Sequence, residues 1–310
     1  MKKRILIIVI VFLLAVGVGI YCWYRQLLSN VEVVSKPLAS DAAASAQNVD
    51  STDDPAKGWI NILVLGTDNR EDEVSRADSI MMVMVNVETL KVSVISIPRD
   101  TRVNIEGVGL TKINHANAVG QAEGGVHEGT LKTAEAVSNL LEIDTNYYVK
   151  IDFEGFQKAV DAVDGIDVNL PYDVQDWRID LAAGEQHLTG EQALLVARSR
   201  YGLAHGDFDR QELQFLLLSS LAHKMLSISN VSRLPEQLQI VYSDLLDTNM
   251  SIPEMLAKGM EFKGIKKEDI QYFQLPGKGI TAYDPLVGAN VYYYESDMDG
   301  VREVVSKALE

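Results

Sequence analysis

The alternation of apolar and polar positions is broken at the start of the chain by a stretch with no polar face. Met1-Lys2-Lys3-Arg4 gives way to Ile5 through Tyr24, none of them charged, before Arg25. As a helix those 20 residues span about 30 Å, the thickness of a bilayer's hydrocarbon core. The basic cluster ahead of them predicts a cytoplasmic tip (1–4), a membrane helix (5–24) and everything else outside the cell membrane. Tyr21-Cys22-Trp23-Tyr24 is bulky, which suits an interfacial aromatic belt and not the small-x-small site of a cleaved signal peptide. An uncleaved signal-anchor is therefore expected. Residues 25–58 then lose periodicity. Ser40-Asp41-Ala42-Ala43-Ala44-Ser45 is of low complexity and Asp50 to Lys57 is polar, the composition of a tether.

Periodicity returns at Ile60. Ile60–Gly66 is an apolar run closed by a turn signal, Ser79–Val87 is rich in Val, Met and Ile, and Lys91–Ile97 sets Val92, Val94, Ile95 and Ile97 among polar residues. These predict three strands. Glu88-Thr89-Leu90 is short enough for a hairpin, and the Thr67–Asp78 loop can also join antiparallel strands. The chain then runs up, down and up. The end of the first strand, the start of the second and the end of the third share one sheet edge. Farther on, Gly129–Glu142 carries Leu131, Ala134, Val137, Leu140 and Leu141 at helical spacing. Phe153–Val163, Gly190–Ala197, Asp207–Ser227, Pro253–Phe262 and Asp297–Leu309 also read as helices. Tyr147–Ile151, Ile166–Asn169, Ile270–Leu275 and Val291–Tyr294 read as strands. The mixture predicts one layered α/β domain over residues 59–310, without internal repeats.

Composition narrows the function. Hydrophobic residues make up 47% and charged residues 23% of the 310, which excludes a disordered polymer and a multi-span transporter. Net charge is -16, although the first 25 residues contain four basic and no acidic side chains. The rest is more acidic still, a poor surface for nucleic acid. Cys22 stands alone, which rules out an intrachain disulfide and a cysteine metal cage.

Against that acidic background, the arginines cluster at predicted strand ends. Gly66-Thr67-Asp68-Asn69-Arg70 follows the first strand, Ser75-Arg76-Ala77-Asp78-Ser79 precedes the second and Ile97-Pro98-Arg99-Asp100-Thr101 follows the third. The shared edge brings Asp68, Arg70, Arg76, Asp78, Arg99 and Asp100 together. Arg198-Ser199-Arg200, with Asp207 and Arg210, leads into the longest helix. Guanidinium forks grip phosphate oxygens and paired carboxylates hold Mg²⁺ with phosphates completing the shell. A weak surface ion-pair network is the competing reading. No G-x-x-x-x-G-K-[ST], H-E-x-x-H or G-x-S-x-G motif occurs. His115, in Lys112-Ile113-Asn114-His115-Ala116, could touch the site or cap a helix. Tyr292-Tyr293-Tyr294 reads chiefly as a half-buried strand and secondarily as a sugar platform. Leu213, Phe215, Leu216, Leu217, Leu218 and Leu221 read mostly as core, with part of the run able to line a pocket for an isoprenoid chain.

These segments, with Gly165-Ile166-Asp167-Val168 and Gly206-Asp207-Phe208-Asp209-Arg210, resemble the LytR-CpsA-Psr family of bacterial cell-wall enzymes over about residues 60–225. The resemblance implies an αβα domain with a mixed central sheet and a long hydrophobic cleft for a polyprenyl chain. It implies that a glycopolymer, such as a teichoic acid or capsular polysaccharide, moves from a polyprenyl diphosphate carrier to peptidoglycan, forming a phosphodiester. By motif, Asp68 and Asp78 would hold Mg²⁺ (or Mn²⁺). Arg76, Arg99, Arg198, Arg200, Arg210 and Gln214 would bind the diphosphate, and Arg99, Asp100 and Asp78 would act in catalysis. A polyprenyl-diphosphate hydrolase and a non-enzymatic lipid-binding regulator are the alternatives. Two positions depart from the family pattern: Asp209 replaces a Gly and Leu213 an Arg. The first is expected to add negative charge near the phosphates and the second to remove a contact. Residues 226–310 carry no recognisable pattern.

Overall fold

A computed structural model describes residues 58–68, 74–199, 204–227, 232–263, 265–266 and 269–310. The expected membrane helix 5–24, the tether up to residue 57, Arg70 and Arg200 lie outside the described residues. The chain begins with β1 (Trp59–Thr67), β2 (Ala77–Asn86), β3 (Val92–Ser96) and the short hairpin of β4 (Arg102–Ile105) and β5 (Gly109–Lys112). Next come α1 (Asn114–Gly124), α2 (Val126–Leu141), β6 (Tyr147–Asp152), α3 (Phe153–Asp161) and β7 (Ile166–Leu170). Then follow β8 (Val174–Asp176), β9 (Ile179–Leu181), β10 (Gly184–Leu188), α4 (Gly190–Arg198), α5 (Asp207–Leu226) and α6 (Leu234–Ser243). The chain closes with β11 (Leu245–Thr248), α7 (Ile252–Phe262), β12 (Ile270–Gln274), β13 (Gly277–Asp284), β14 (Ala289–Ser296) and α8 (Met298–Ala308).

The main sheet is mixed, with six strands in the order β11-β6-β1-β2-β3-β12. β1–β2 and β2–β3 are antiparallel, whereas β6 and β12 join parallel to β1 and β3. Gly66 pairs with Ser79 and Met81 with Ser96, so the three strand ends do share an edge. On β1, Leu63, Leu65 and Thr67 are buried on one face while Ile62 and Val64 are half-buried on the other. Both faces are covered, which is why the strand reads as a continuous apolar run. One face packs on α1, α2 and α8 around Leu65, Val137 and Val301. The other meets α5 and α7 through Phe215, Leu218 and Phe262. A further cluster, including Phe156, Ile166, Val196 and Leu217, binds α3, β7 and α4 to α5.

Periodicity missed α1 and β13, which lack large buried apolar residues, and also α6 and β11, which carry Leu234, Leu238, Val241 and Leu245 but lie in the segment without a recognisable pattern. The buried positions of α1 are Asn114, His115, Ala116, Asn117 and Gly120. It packs closely on α2, where a Cβ on Gly120 would strike the Glu128 carbonyl. β13 is mostly exposed and glycine-bearing. α2 begins at Val126, ahead of the expected Gly129.

Candidate active site

The shared edge is built by backbone before side chains. Thr101 N–H donates to Pro98 O (2.9 Å), closing a turn after β3. Asn114 N–H reaches Arg99 O (3.2 Å), Ile113 N–H reaches Thr101 O (2.8 Å) and Tyr294 N–H reaches Asp100 O (2.9 Å). The Arg99-Asp100 loop is thereby held between the start of α1 and β14. On the neighbouring strands, Gly66 lets β1 approach β2, since a Cβ there would sit 3.0 Å from Ser79 Cβ.

The Arg99 Nη1 donates to Asp78 Oδ1 at 2.7 Å, and its Nε lies 3.9 Å from Asp100 Oδ2. Lys112 Nζ donates to the other Asp100 oxygen at 2.6 Å. Burial opposes the charge on Arg99, but Asp78, Asp100 and Asp207 together outweigh it and raise the guanidinium above its ordinary pKa. At the start of α5, Arg210 is almost fully buried and ion-paired with Asp207, which also accepts from Gln211 Nε2 (3.0 Å). Arg198, the last residue of α4, lies with its guanidinium 4.6 Å from the centre of the Phe153 ring. Gln214 donates from Nε2 to Ala197 O (3.1 Å), leaving its buried Oε1 without a hydrogen-bond partner.

Asp68, Asp78, Arg198, Arg210 and Gln214 line one cavity of about 260 Å³, together with Gly66, Ser79, Phe153, Ala197 and Arg178. Arg99 and Asp100 are not among its lining residues; Arg99 reaches it only through its contact with Asp78. Arg76 is exposed and absent from the cavity lining. Arg178, on the β8–β9 turn, was missed because nothing in its local sequence marks a ligand; its guanidinium lies 5.2 Å from the Trp177 ring. Phe153, the first residue of α3, adds an aromatic wall beneath Arg198 that helical periodicity does not reveal.

Behind the charged cavity lies an apolar one of about 390 Å³. Ile62, Val64, Met81 and Val83 of the sheet form its floor, and Phe215, Leu218, Leu221 and Met225 of α5 form one wall. Leu234, Leu238, Val241, Met255 and Phe262 close it. Thus the segment without a recognisable pattern builds much of an apolar chamber. A narrow space of about 50 Å³ touches Gly66, Ser79 and Gln214 of the charged cavity and Val64 and Leu218 of the apolar one. The narrow space thus shares lining residues with both chambers along α5.

Both departures prove to be structural. Asp209 is turned back to cap its own loop, accepting from His205 N–H (2.8 Å) with His205 Nδ1 at 3.1 Å, and it does not line the cavity. Leu213 is fully buried in the core between α5 and β7, so position 213 faces away from the cavity. His115 is also internal. Its Nδ1 lies 2.7 Å from Thr111 Oγ1 and 3.8 Å from Asp284, and burial with nearby Arg76 holds its pKa below the ordinary value.

Among the described residues, no group of three or more His, Cys, Asp or Glu could by itself hold a metal ion. Two carboxylates on one cavity wall nevertheless match what Mg²⁺ uses when phosphates supply the remaining oxygens.

The LytR_cpsA_psr family model matches residues 27–309. A Bacillus mycoides protein named polyisoprenyl-teichoic acid--peptidoglycan teichoic acid transferase TagU is 32% identical over 302 residues, covering 96% of this chain and 94% of that protein. The crystal structure of B. subtilis TagV aligns with a TM-score of 0.69 and 32% identity, over 81% of this chain and 96% of that one. A structure of TagT bound to LI-WTA aligns with a TM-score of 0.64 and 26% identity, over 84% and 93% of the two chains.

Proposed function

This chain belongs to the LytR_cpsA_psr family, and on that footing we propose that it transfers a glycopolymer from a polyprenyl diphosphate carrier to peptidoglycan. The observation that supports the reading is an arginine-and-carboxylate cavity set beside an apolar chamber, with a narrow space that shares lining residues with both between them. A polyprenyl diphosphate has a matching charged head and greasy tail. The relatives' names point to teichoic acid as the polymer.

A peptidoglycan hydroxyl attacks the sugar-linked phosphorus. The new P–O bond forms as the bond to the polyprenyl phosphate breaks, the hydroxyl proton is released and polyprenyl monophosphate departs. Arg198, Arg210 and Arg178 neutralise the diphosphate oxygens as charge shifts toward the leaving phosphate. The Asp78–Arg99 pair aligns both groups at the edge. Asp100, held by Lys112 and close to Arg99, serves to orient that guanidinium. Gln214, fixed by the hydrogen bond from its Nε2 to Ala197 O, lies where the charged cavity meets the narrow space beside the apolar chamber. Asp68 and Asp78 are the residues that would hold Mg²⁺, which when bound supplies positive charge to the phosphoryl oxygens. The uncharged run 5–24 after Lys2-Lys3-Arg4 supports a single-pass anchor that keeps this domain outside the cell, beside its lipid.

The test is turnover by the full-length protein in detergent with a lipid-linked glycan donor, peptidoglycan and Mg²⁺. Polyprenyl monophosphate should appear in step with wall-bound phosphate, and Asp68→Asn should lose the metal response. Free glycan phosphate without a wall conjugate would make the enzyme a hydrolase. Lipid binding without any turnover would leave a regulator.

A further inference from the structure

β13 and β14 form a two-stranded ribbon outside the main sheet. Their register is unbroken, so residues paired across it share a face. Thr281 and Tyr283 therefore lie on the same side as Tyr292, Asn290 and Tyr294. The opposite side carries Tyr293 and Asp284, both fully buried, with the Arg102 guanidinium 5.3 Å from the Tyr293 ring.

Tyr294 fixes the direction in which the first side looks. Its ring meets Phe208 edge-on with centroids 5.4 Å apart, and its backbone N–H donates to Asp100 O at 2.9 Å. Phe208 sits between Asp207 and Arg210 in the first turn of α5. The face that carries Tyr294 is therefore the face toward the diphosphate edge, and Tyr292 and Tyr283 continue it outward as a wall.

Those two tyrosines are 53% and 59% exposed, so core packing does not account for them. Tyr292 does not stand free in solvent. It lies across the bare backbone of Gly279, where a Cβ would come within 2.8 Å of its ring. The ring thus rests against the Gly279 backbone while about half of the residue stays exposed. Thr281 and Asn290, also exposed, add a hydroxyl and an amide, and no charged residue occupies this side of the ribbon. Rigid aromatic faces beside short neutral hydrogen-bonding groups suit the apolar faces and hydroxyls of uncharged pyranose rings, not a phosphate.

Resting on the transfer reading above, we propose that this face is the acceptor subsite, binding the N-acetylated amino-sugar strand of peptidoglycan. The face runs outward from Tyr294, which packs on Phe208 beside Asp207 and Arg210, so a strand lying on it would lead toward the diphosphate edge and present a hydroxyl to the sugar-linked phosphorus.

The experiment uses the full-length protein and soluble, uncross-linked peptidoglycan strands as the probe. In Tyr283→Ala/Tyr292→Ala, the KM for strands rises about tenfold or more, the scale of two lost stacking contacts. The kcat at saturating strands and the binding of polyprenyl diphosphate stay as in the wild type. Gly279→Val, which lifts the Tyr292 ring off its bed, raises the same KM, and Tyr292→Phe leaves it nearly unchanged. An unchanged acceptor KM in the double variant overturns the assignment. So does a defect confined to binding phosphatidylglycerol vesicles. Calorimetric binding of strands in the absence of donor separates this assignment from the transfer reading. If the wild type fails to transfer, loss of strand binding in the double variant still supports the subsite, and equal binding overturns it.

Discussion

Replacing Arg99 with Ala separates a catalytic edge from a decorative ion-pair network. Arg99 and Asp78 are each 22% exposed, and their contact is 2.7 Å. Such a pair is neither a solvent-washed bridge nor a fully buried one, so its loss should cost about 1–2 kcal/mol of stability. For a domain of this size, that is a melting-temperature drop of about 2–8 °C. Transition-state stabilisation suffers more. Removal leaves Asp78, which lines the cavity, before an anionic diphosphate without the cation that balances it, and a lost electrostatic contribution typically costs about 10²–10³ in kcat. Polyprenyl phosphate release, measured beside a thermal melt of the same preparation, should therefore fall far more than folding does. Arg99→Lys should recover part of the rate, because it restores charge without the fork. A melting temperature more than about 10 °C lower, with turnover reduced less than about tenfold, would refute the reasoning and make the cluster structural.

Val83→Trp puts a ring into the apolar chamber from its sheet floor; donor KM should rise by about tenfold or more with little change in melting temperature, read by lipid-binding titration. Leu213→Arg, which restores the residue usual in the family pattern, buries a cation in a closed core and should destabilise by about 3 kcal/mol or more in denaturant unfolding without improving donor affinity. Lys150 is fully buried, donating to Asn117 Oδ1 (2.7 Å) and Val126 O (3.2 Å), and burial pushes its pKa from 10.5 to about 8. Between those two values the unfolded chain holds a proton that the folded protein has released, so stability should rise with pH across that window by about 1–3 kcal/mol. Unfolding midpoints compared at about pH 7.5 and about pH 10 should show that slope in the wild type and not in Lys150→Met.

The sheet edge was legible because β1, β2 and β3 are consecutive, apolar and joined by loops whose lengths dictate antiparallel pairing. Their charged termini could only converge. Arg178 was not legible, since it reaches the cavity from a turn distant in sequence and is marked by no motif. The chamber wall was partly legible. The leucines of α5 announced an apolar helix, but Leu213 and Leu217 face the core while Phe215 and Leu218 face the chamber, a division that depends on helix rotation. Asp209 and Leu213 misled because a motif records residue identity without the direction of the side chain. α1 escaped notice because its packing rests on small and polar side chains, Asn117 and Gly120 among them, which leave no hydrophobic period.

Helix α5 carries Arg210 and Gln214 at its start and Leu218, Leu221 and Met225 farther along. From Gln214 to Leu226 it advances about 18 Å. On the proposed function, head recognition and tail seating are mounted on one stiff rod, and the carrier would be gauged from the pyrophosphate downward. A polyprenol much longer than that rod has its distal units beyond the gauge, where they can stay dissolved in the bilayer. Carriers that share the first few isoprene units should then be interchangeable, and the protein need never lift a whole lipid out of the membrane.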